Sequence, residues 1–560
     1  MSYQVAIMFV ETIKSKQNGK IYYCHLLRHN YRENGKVKHK TIANLSQCLD
    51  EEIEALKLAL KHKHNLSALL NISDDISVKQ GLSVGAVWLI YQIAKRLGVE
   101  KALGKYHQAK LALWQVIARI IDQGSRLSAV RLAMTHTACD VLNITKTFNE
   151  QDLYDNLDWL CDNQKLIEKK LFCYRHRQNV PNLFLYDVTS SYLEGEHNAY
   201  GAYGYNRDKK IGKMQIVVGL LCDEEGMPVS VEVFPGNTRD LKTFTGQVKK
   251  LAGRFGCKHV TMTGDRGMIK SAQIEELDEA GFHYITAITK PQIEKLLREG
   301  VFQMDLFDRH IAEVVVKKHN GKIVRYILKR NPLRAKEIAE SREGKEATIK
   351  RLIDKKNEYL KMHRRAGVVT ALKQVQQKIE KLKVGRWLRI EATQRKLTLI
   401  KDDGVLKEIA KLDGCYVIKS DVPKELSSAR TIHNRYKDLA FVEHAFRTMK
   451  SDFLEVRPVH VRIEEHTRAH VLVVMLAYMI VRELRRLWSD INITVKEGIK
   501  SLDTLCSTYI LNKGKVICQK IPVPNEQNHK LLKAASVMLP EALPSKGIKV
   551  ATKRTLIKKQ

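Results

Sequence analysis

The stretch Asn182-Leu-Phe-Leu-Tyr-Asp187-Val-Thr-Ser-Ser191 and its echo Val260-Thr-Met-Thr-Gly-Asp265 constrain the fold of this chain more than any other feature. Each is a short apolar run ending in a carboxylate, and the first follows Pro181. Apolar runs of this length read as buried strands. An ionised Asp beside a core is costly unless something pairs with it. A divalent cation is one such partner; for either acid alone, capping of the next turn is the plainer explanation. The recurrence matters, because Glu443 then sits on a strong helix much later in the chain. Three carboxylates on separate core elements point to a metal site.

Around these acids the pattern alternates. After the first strand comes a Gly- and Tyr-rich loop, Tyr200 to Tyr205, ending in Arg207, Lys209 and Lys210. A hairpin follows: Met214 to Leu221, a turn at Asp223-Glu-Glu-Gly226, then Val229 to Phe234. A helix from about Asp240 to Ala252 leads back to the Asp265 strand, then a helix at Lys270 to Ala280 and a strand from Tyr284. Hairpin, helix, strand, helix, strand is the order of a ribonuclease-H-like α/β core. Residues 300–420 interrupt it with a hairpin around Asn320-Gly321, a charged helical stretch from Arg334 to Lys383, and strands at Trp387 and Cys415. The helical stretch is charged nearly all round, which predicts a surface exposed to solvent or laid against DNA.

Upstream, residues 1 to about 48 read as a β-meander with tight turns at Asn18-Gly19 and Asn34-Gly35. A charged helix from Asp50 to Lys63 and a polar linker near Asn71 to Gln80 follow. From Ser83 to Arg177 the pattern is helical, including Gly85 to a Gly stop at Gly98, and Leu111 to Gln123.

A chain of 560 residues exceeds one ordinary core. Its 96 Lys and Arg against 62 Asp and Glu give +34, spread over the whole length, which favours a nucleic-acid polyanion over a membrane surface. The ten Cys form no C-x-x-C pair, as expected of reduced thiols in a cytoplasmic protein. The N-terminus is not a signal peptide. The longest apolar run, Val471 to Val481, is too short for a bilayer and predicts a buried helix.

Tyr436 to Lys450 contains neither Gly nor Pro and predicts one helix. Tyr436, Glu443 and Lys450 are seven apart, nearly two turns, and Arg447 joins their stripe. An acid flanked by two cations and a Tyr suits a phosphate backbone brought to a metal; ordinary Glu443–Arg447 pairing is the bland alternative. Asp240 is expected to cap its helix and Asp208 to be solvated. His460, His466 and His470 are expected to be structural, lacking Cys partners or an H-E-x-x-H pattern. Gly201, Gly204 and Gly212 form no phosphate loop.

With these motifs in order, the chain resembles the DDE transposases of bacterial insertion sequences, in the group usually numbered four, with its Y-x2-R-x3-E-x6-K signature. Tyr436, Glu443 and Lys450 are in register, with Leu439 where the Arg belongs; Arg435, Lys437 or Arg447 are candidate replacements. Asp187 in Tyr-Asp-Val-Thr-Ser and Asp265 in Thr-Gly-Asp-Arg-Gly match the family's two Asp motifs. The resemblance covers roughly 180 to 490 and accounts for the interruption as an insertion domain. Together with the patterns on either side of that range, the expected organisation is: 1–80, meander, helix and linker; 81–178, helical, its basic exposed faces fitting a DNA-binding module with a purely structural bundle as the alternative; 179–299, first part of the core; 300–422, insertion domain; 423–495, second part with the Glu helix; 496–560, a basic C-terminal region.

The resemblance also implies chemistry. Two Mg²⁺ ions, replaceable by Mn²⁺, about 3.5–4 Å apart would serve an in-line attack on a phosphodiester. Asp187 would bridge both, Asp265 and Glu443 would each hold one, and Tyr436, Arg447 and Lys450 would contact DNA phosphates. The implied function is cut-and-paste transposition on double-stranded DNA, terminal inverted repeats and target, by a homodimer on DNA in a cytoplasmic, nucleoid-associated setting. A nuclease of the same fold without strand transfer, and a domesticated DNA-binding protein without catalysis, remain the alternatives.

Overall fold

The computed structural model describes residues 7–17, 20–33, 36–63, 76–205, 207–208, 210–317, 321–457, 459–512, 515–543, 547–548, 550 and 552. The chain divides into two compact units: Met1–Leu82 with Cys506–Val523 and Pro540–Ser545, and Ser83–Leu505 with Pro524–Leu539 and Lys546–Gln560.

In the first unit, β1 (Ile7–Gln17), β2 (Lys20–Glu33) and β3 (Lys36–Asn44) form an antiparallel meander in that order. The two Asn-Gly turns lie outside the described residues, but Gln17 pairs with Lys20 and Glu33 with Lys36, as two-residue hairpin loops require. The charged helix follows at Asp50–Lys61. The expected linker is corrected in part. Residues 64–75 are outside the described set, and Ile76–Ser83 forms a strand, β4, rather than a tether. It is an edge of a three-stranded sheet with Cys506–Asn512 and Lys515–Lys520. Its partner lies more than 400 residues away, so no local pattern could reveal the pairing.

The second unit is built on an eight-stranded mixed sheet. Its strands are β5 (Leu183–Tyr192), β6 (Gln215–Asp223), β7 (Pro228–Pro235), β8 (Thr261–Gly264), β9 (His283–Ala287), β10 (Ala312–Lys317), β11 (Ile323–Arg330) and, after a separate hairpin of β12 (Leu388–Thr393) and β13 (Lys396–Lys401), β14 (Cys415–Ser420). The order is β10-β11-β14-β9-β8-β5-β6-β7. β5, β8 and β9 are parallel neighbours and the other pairs are antiparallel. Strand alternation gives β5 two characters. Phe184, Tyr186 and Val188 enter a core with Val217, Phe244, Leu251, Met262 and Leu277, drawn from the neighbouring strands, the helices Asp240–Lys249 and Ser271–Glu279, and the π-helical turn Lys250–Arg254. Each such side chain contributes about 1.5–3 kcal/mol by leaving water.

The interrupting stretch divides physically. β10, β11 and β14 continue the main sheet over their own core of Phe302, Phe307, Tyr326 and Val417. The residues between them form the helices Pro332–Met362 and Val368–Leu382, which pack with the β12–β13 hairpin. The single charged helical stretch is thus two helices, and it is not polar all round. Ile349, Ile353 and Leu360 face Ala371, Val375 and Ile379 in a buried stripe, thin enough to be masked by the surrounding Lys and Glu.

Glu464–Leu487 is the buried helix expected from the apolar run. Glu464 and Glu465 in its first turn and Arg485 and Arg486 in its last complement its dipole. From Ala469 to Val481 every residue is buried. It packs against β7 and against the helices Glu150–Arg175, His107–Ile121 and Gly85–Arg96 of the preceding helical region. Gly98 adopts φ +79° just past the last of these, the left-handed stop expected of it. Among the described residues no helix is long and apolar enough to cross a membrane.

Candidate active site

Parallel pairing of β5 with β8 sets Tyr186 opposite Gly264. Asp187 and Asp265 therefore come next on neighbouring strands, which lie about 4.8 Å apart. Each carboxylate accepts the backbone N–H of the following residue: Val188 N–H to Asp187 Oδ1 at 2.8 Å, Arg266 N–H to Asp265 Oδ1 at 2.7 Å. Because Phe184, Tyr186 and Val188 take the core face, Asp187 shares the other face with Thr189. The helix Leu439–Arg447 packs across β5 and β6 and brings Glu443 to the same place. Asp187, Asp265 and Glu443 line one cleft of about 530 Å³, with Thr189, Arg207, Asp208, Asp240, Arg447, Lys450 and Arg457 around them.

The electrostatics agree with that convergence. Burial pushes the Asp187 carboxyl up to about 7; the Val188 N–H and Arg207 pull against this, while the charges of Asp265 and Glu443 push it further up. Asp187 is half-buried, whereas Asp265 and Glu443 are open to solvent. Burial, then the Asp265 charge, hold the Tyr436 phenol well above its usual range, and its hydroxyl lies 3.5 Å from Asp265 Oδ1.

Several expectations change here. Tyr436 to Lys450 is not one helix. Ala429–Lys437 ends at Asp438, Leu439–Arg447 begins there, and Lys450 lies in a π-helical turn, Thr448–Asp452. The Phe441 N–H bonds the Asp438 carbonyl at 2.8 Å, a tighter i→i+3 closure that interrupts the helical ladder without Gly or Pro. Asp208 is not solvated. Its side chain is 3% exposed and accepts Lys450 Nζ at 2.5 Å, Arg457 Nη1 at 2.6 Å and the Tyr192 N–H at 3.2 Å. Lys450 also donates to Thr189 Oγ1 at 3.1 Å, so it is held inside the wall of the cleft. Asp240 opens its helix but does not cap it; Arg239 is the cap residue. Both Asp240 oxygens instead accept Arg207 Nη2 at 2.8 Å.

Residues 178–480 match the family described as Transposase DDE domain. The chain belongs to the DDE transposase family. Residues 10–69 match the N-terminal domain of the IS1634 family transposases. A solved structure of the piggyBac transposase synaptic complex with hairpin DNA aligns at 10% identity over 75% of each chain, with a TM-score of 0.34, too slight a likeness to carry weight. Curated proteins give no significant match.

In this transposase Leu439, which stands where the Y-R-E-K resemblance would put an Arg, is buried and supplies no cation. Of the proposed substitutes, Arg435 pairs with Asp438 at 3.4 Å and Glu224 at 3.9 Å, and Arg447 lines the cleft. The acids line a common space without closing on one point, and among the described residues no three His, Cys, Asp or Glu side chains form a ready metal cage. Three like charges held apart in an open cleft are what electrostatic repulsion favours. The donor set is carboxylate oxygen without thiolate or imidazole, the chemistry of Mg²⁺ or Mn²⁺ rather than of zinc. Arg207, Asp208 and Arg457 were missed as site residues. The one signal available was an acid, Asp208, placed within a run of cations.

Proposed function

We propose that this transposase cuts DNA at the ends of an insertion sequence and joins the freed ends to target DNA, a cut-and-paste reaction dependent on Mg²⁺, with Mn²⁺ able to substitute. The reading rests on one observation: Asp187, Asp265 and Glu443, from three distant segments, line a single cleft, where burial first, and then the charges of Asp265 and Glu443, push the Asp187 carboxyl up. The sheet order β7-β6-β5-β8-β9, an antiparallel trio flanked by two parallel strands, supports a ribonuclease-H-like core. Within it, residues 300–422 are the insertion domain.

Asp187, Asp265 and Glu443 are the groups that would hold the metal. Bound there, divalent ions supply activation of an attacking hydroxyl and stabilisation of the leaving oxygen. The chain's own groups do the rest. Arg447, exposed on the cleft, meets the phosphate backbone in place of the cation that Leu439 lacks. The Tyr436 hydroxyl, beside Asp265, orients that carboxylate and an incoming phosphate. Lys450 keeps its place in the Y-R-E-K register, but we assign it a positioning role, tying Asp208 and Thr189 into the wall. The N-terminal unit and residues 81–178 are assigned to double-stranded DNA binding at terminal inverted repeats, with a homodimer pairing two ends.

The experiment is incubation of the protein with a terminal-repeat duplex, target DNA and Mg²⁺. Joined products are expected. Cut but unjoined DNA would indicate a nuclease, and a shifted band with neither product would sink the catalytic assignment.

A further inference from the structure

A second cavity, of about 770 Å³, lies in the same unit beside the cleft. Its walls come from the segment Arg119–Arg126, the start of the helix Glu150–Arg175, and residues 455–470. Arg119 and Arg126 are almost fully buried, and neither makes an ion pair among the described residues. Arg119 donates to the carbonyls of Gln123 at 2.5 Å and Gly124 at 3.0 Å, and its buried Nε has no partner. Arg126 Nη2 meets His470 Nδ1 at 3.0 Å. That contact needs a neutral imidazole, and burial followed by Arg119 and Arg126 lowers His470 well below its usual pKa. Burial also brings Arg126 down to about 9.

The remaining lining adds cations. Arg462 and His460 are exposed at the rim, and Arg457 faces both cavities. Nearby acids are few and mostly engaged: Asp158 with His466 at 3.1 Å, Asp208 with Arg457, Asp122 with the Ser128 hydroxyl. Glu455 is the one carboxylate in the lining. Asp122 and Glu455 offset part of the Arg119 charge without pairing with it; a buried cation that lacks a direct partner is costly, and an anion in the cavity relieves that cost. Tyr154, stacked on His466, and Val461 and Ile463 supply flat and apolar surface, as a nucleobase requires. The volume falls within the roughly 300–1,000 Å³ of small-ligand pockets.

We propose that this cavity binds a single phosphate-bearing nucleotide of a DNA strand, its phosphate on Arg119, Arg126 and Arg462 and its base against Tyr154. Arg457, shared by both cavities, makes it a continuation of the path of the strand held in the cleft. The assignment rests on the transposase reading but concerns binding, not cleavage.

The test uses full-length protein carrying Asp187→Asn, so that no substrate is consumed, and fluorescein-labelled pentathymidylate read by anisotropy. Arg462→Ala should weaken binding about tenfold and Arg126→Gln further, while Lys355→Ala, on the exposed Pro332–Met362 helix, removes the same charge with little effect. Arg462 is at the rim, so its loss leaves the melting temperature unchanged even if Arg126→Gln fails to fold. Thymidine 5′-monophosphate should displace the probe at lower concentration than inorganic phosphate. Equal losses for Arg462→Ala and Lys355→Ala, or equal displacement by the two competitors, would overturn the proposal. Wild-type protein that binds the probe through these residues but never cuts DNA would overturn the catalytic reading alone.

Discussion

At the scale of single residues, the site holds charges that the fold does not neutralise. Burial pushes the Asp187 carboxyl from its usual 3.8 up to about 7. A carboxyl raised in this way makes the folded state bind its proton more tightly than the unfolded state. The benefit is complete below the usual value and is lost as pH climbs through the raised one. Metal-free protein should therefore lose stability between about pH 4 and pH 7, by on the order of 1 kcal/mol per unit at most. Asp187→Asn should flatten that slope in chelator-treated urea titrations, and should exceed wild type in stability at pH 8 while abolishing cleavage. A parallel slope in the variant would show that Asp187 is not the group responsible. Lys450 gives the opposite case. Its ammonium is buried against Asp208 and Thr189, while Arg457 still pairs with Asp208 when that ammonium is removed, so Lys450→Ala should lower the unfolding free energy by about 1–3 kcal/mol. A surface phosphate contact would cost almost nothing there and show only in DNA affinity.

At the scale of elements, the position of Glu443 depends on a turn that carries no chemistry. Gly226 closes the β6–β7 hairpin at φ +77°, and a Cβ there would come within 2.5 Å of the Phe441 Cβ on the Glu443 helix. Gly226→Ala is expected to displace that helix, lowering cleavage at least tenfold with about 1–3 kcal/mol of lost stability. Gly253→Ala is the control, since its Cβ meets nothing within 4 Å; equal effects from the two would show that the helix seat is not involved. Elements of this kind were legible where one period ran uninterrupted. The β5 and β8 strands, the Asp223–Gly226 turn and the helix Glu464–Leu487 all follow from local apolar pattern and turn chemistry. The break at Asp438 was not, because nothing in its composition forbids a continuous helix. It is imposed where two segments pack on different parts of one sheet.

For the whole molecule, the formal charge of +34 sets how binding responds to solution conditions. The logarithm of DNA affinity should fall linearly with the logarithm of salt, by roughly a thousandfold or more between about 50 and 200 mM if six or more phosphates are neutralised. A flat response in filter binding would remove the polyanion as the reason for the charge. The chain's sequence by itself determined most of its strands and helices, though not Ile76–Ser83 or the late strands Cys506–Asn512 and Lys515–Lys520, and which acids end strands, because hydrophobic period and turn residues act over a few positions. Its charge of +34 pointed to a polyanion as partner. Only the tertiary structure decided that β4 pairs with a strand late in the chain, and that Asp208 leaves water to bind Lys450 and Arg457. It alone placed Arg119 and Arg126 around a cavity beside the three acids. Those outcomes depend on contacts between residues tens to hundreds apart, where the cost of burying a charge is set by whichever group the fold brings to meet it.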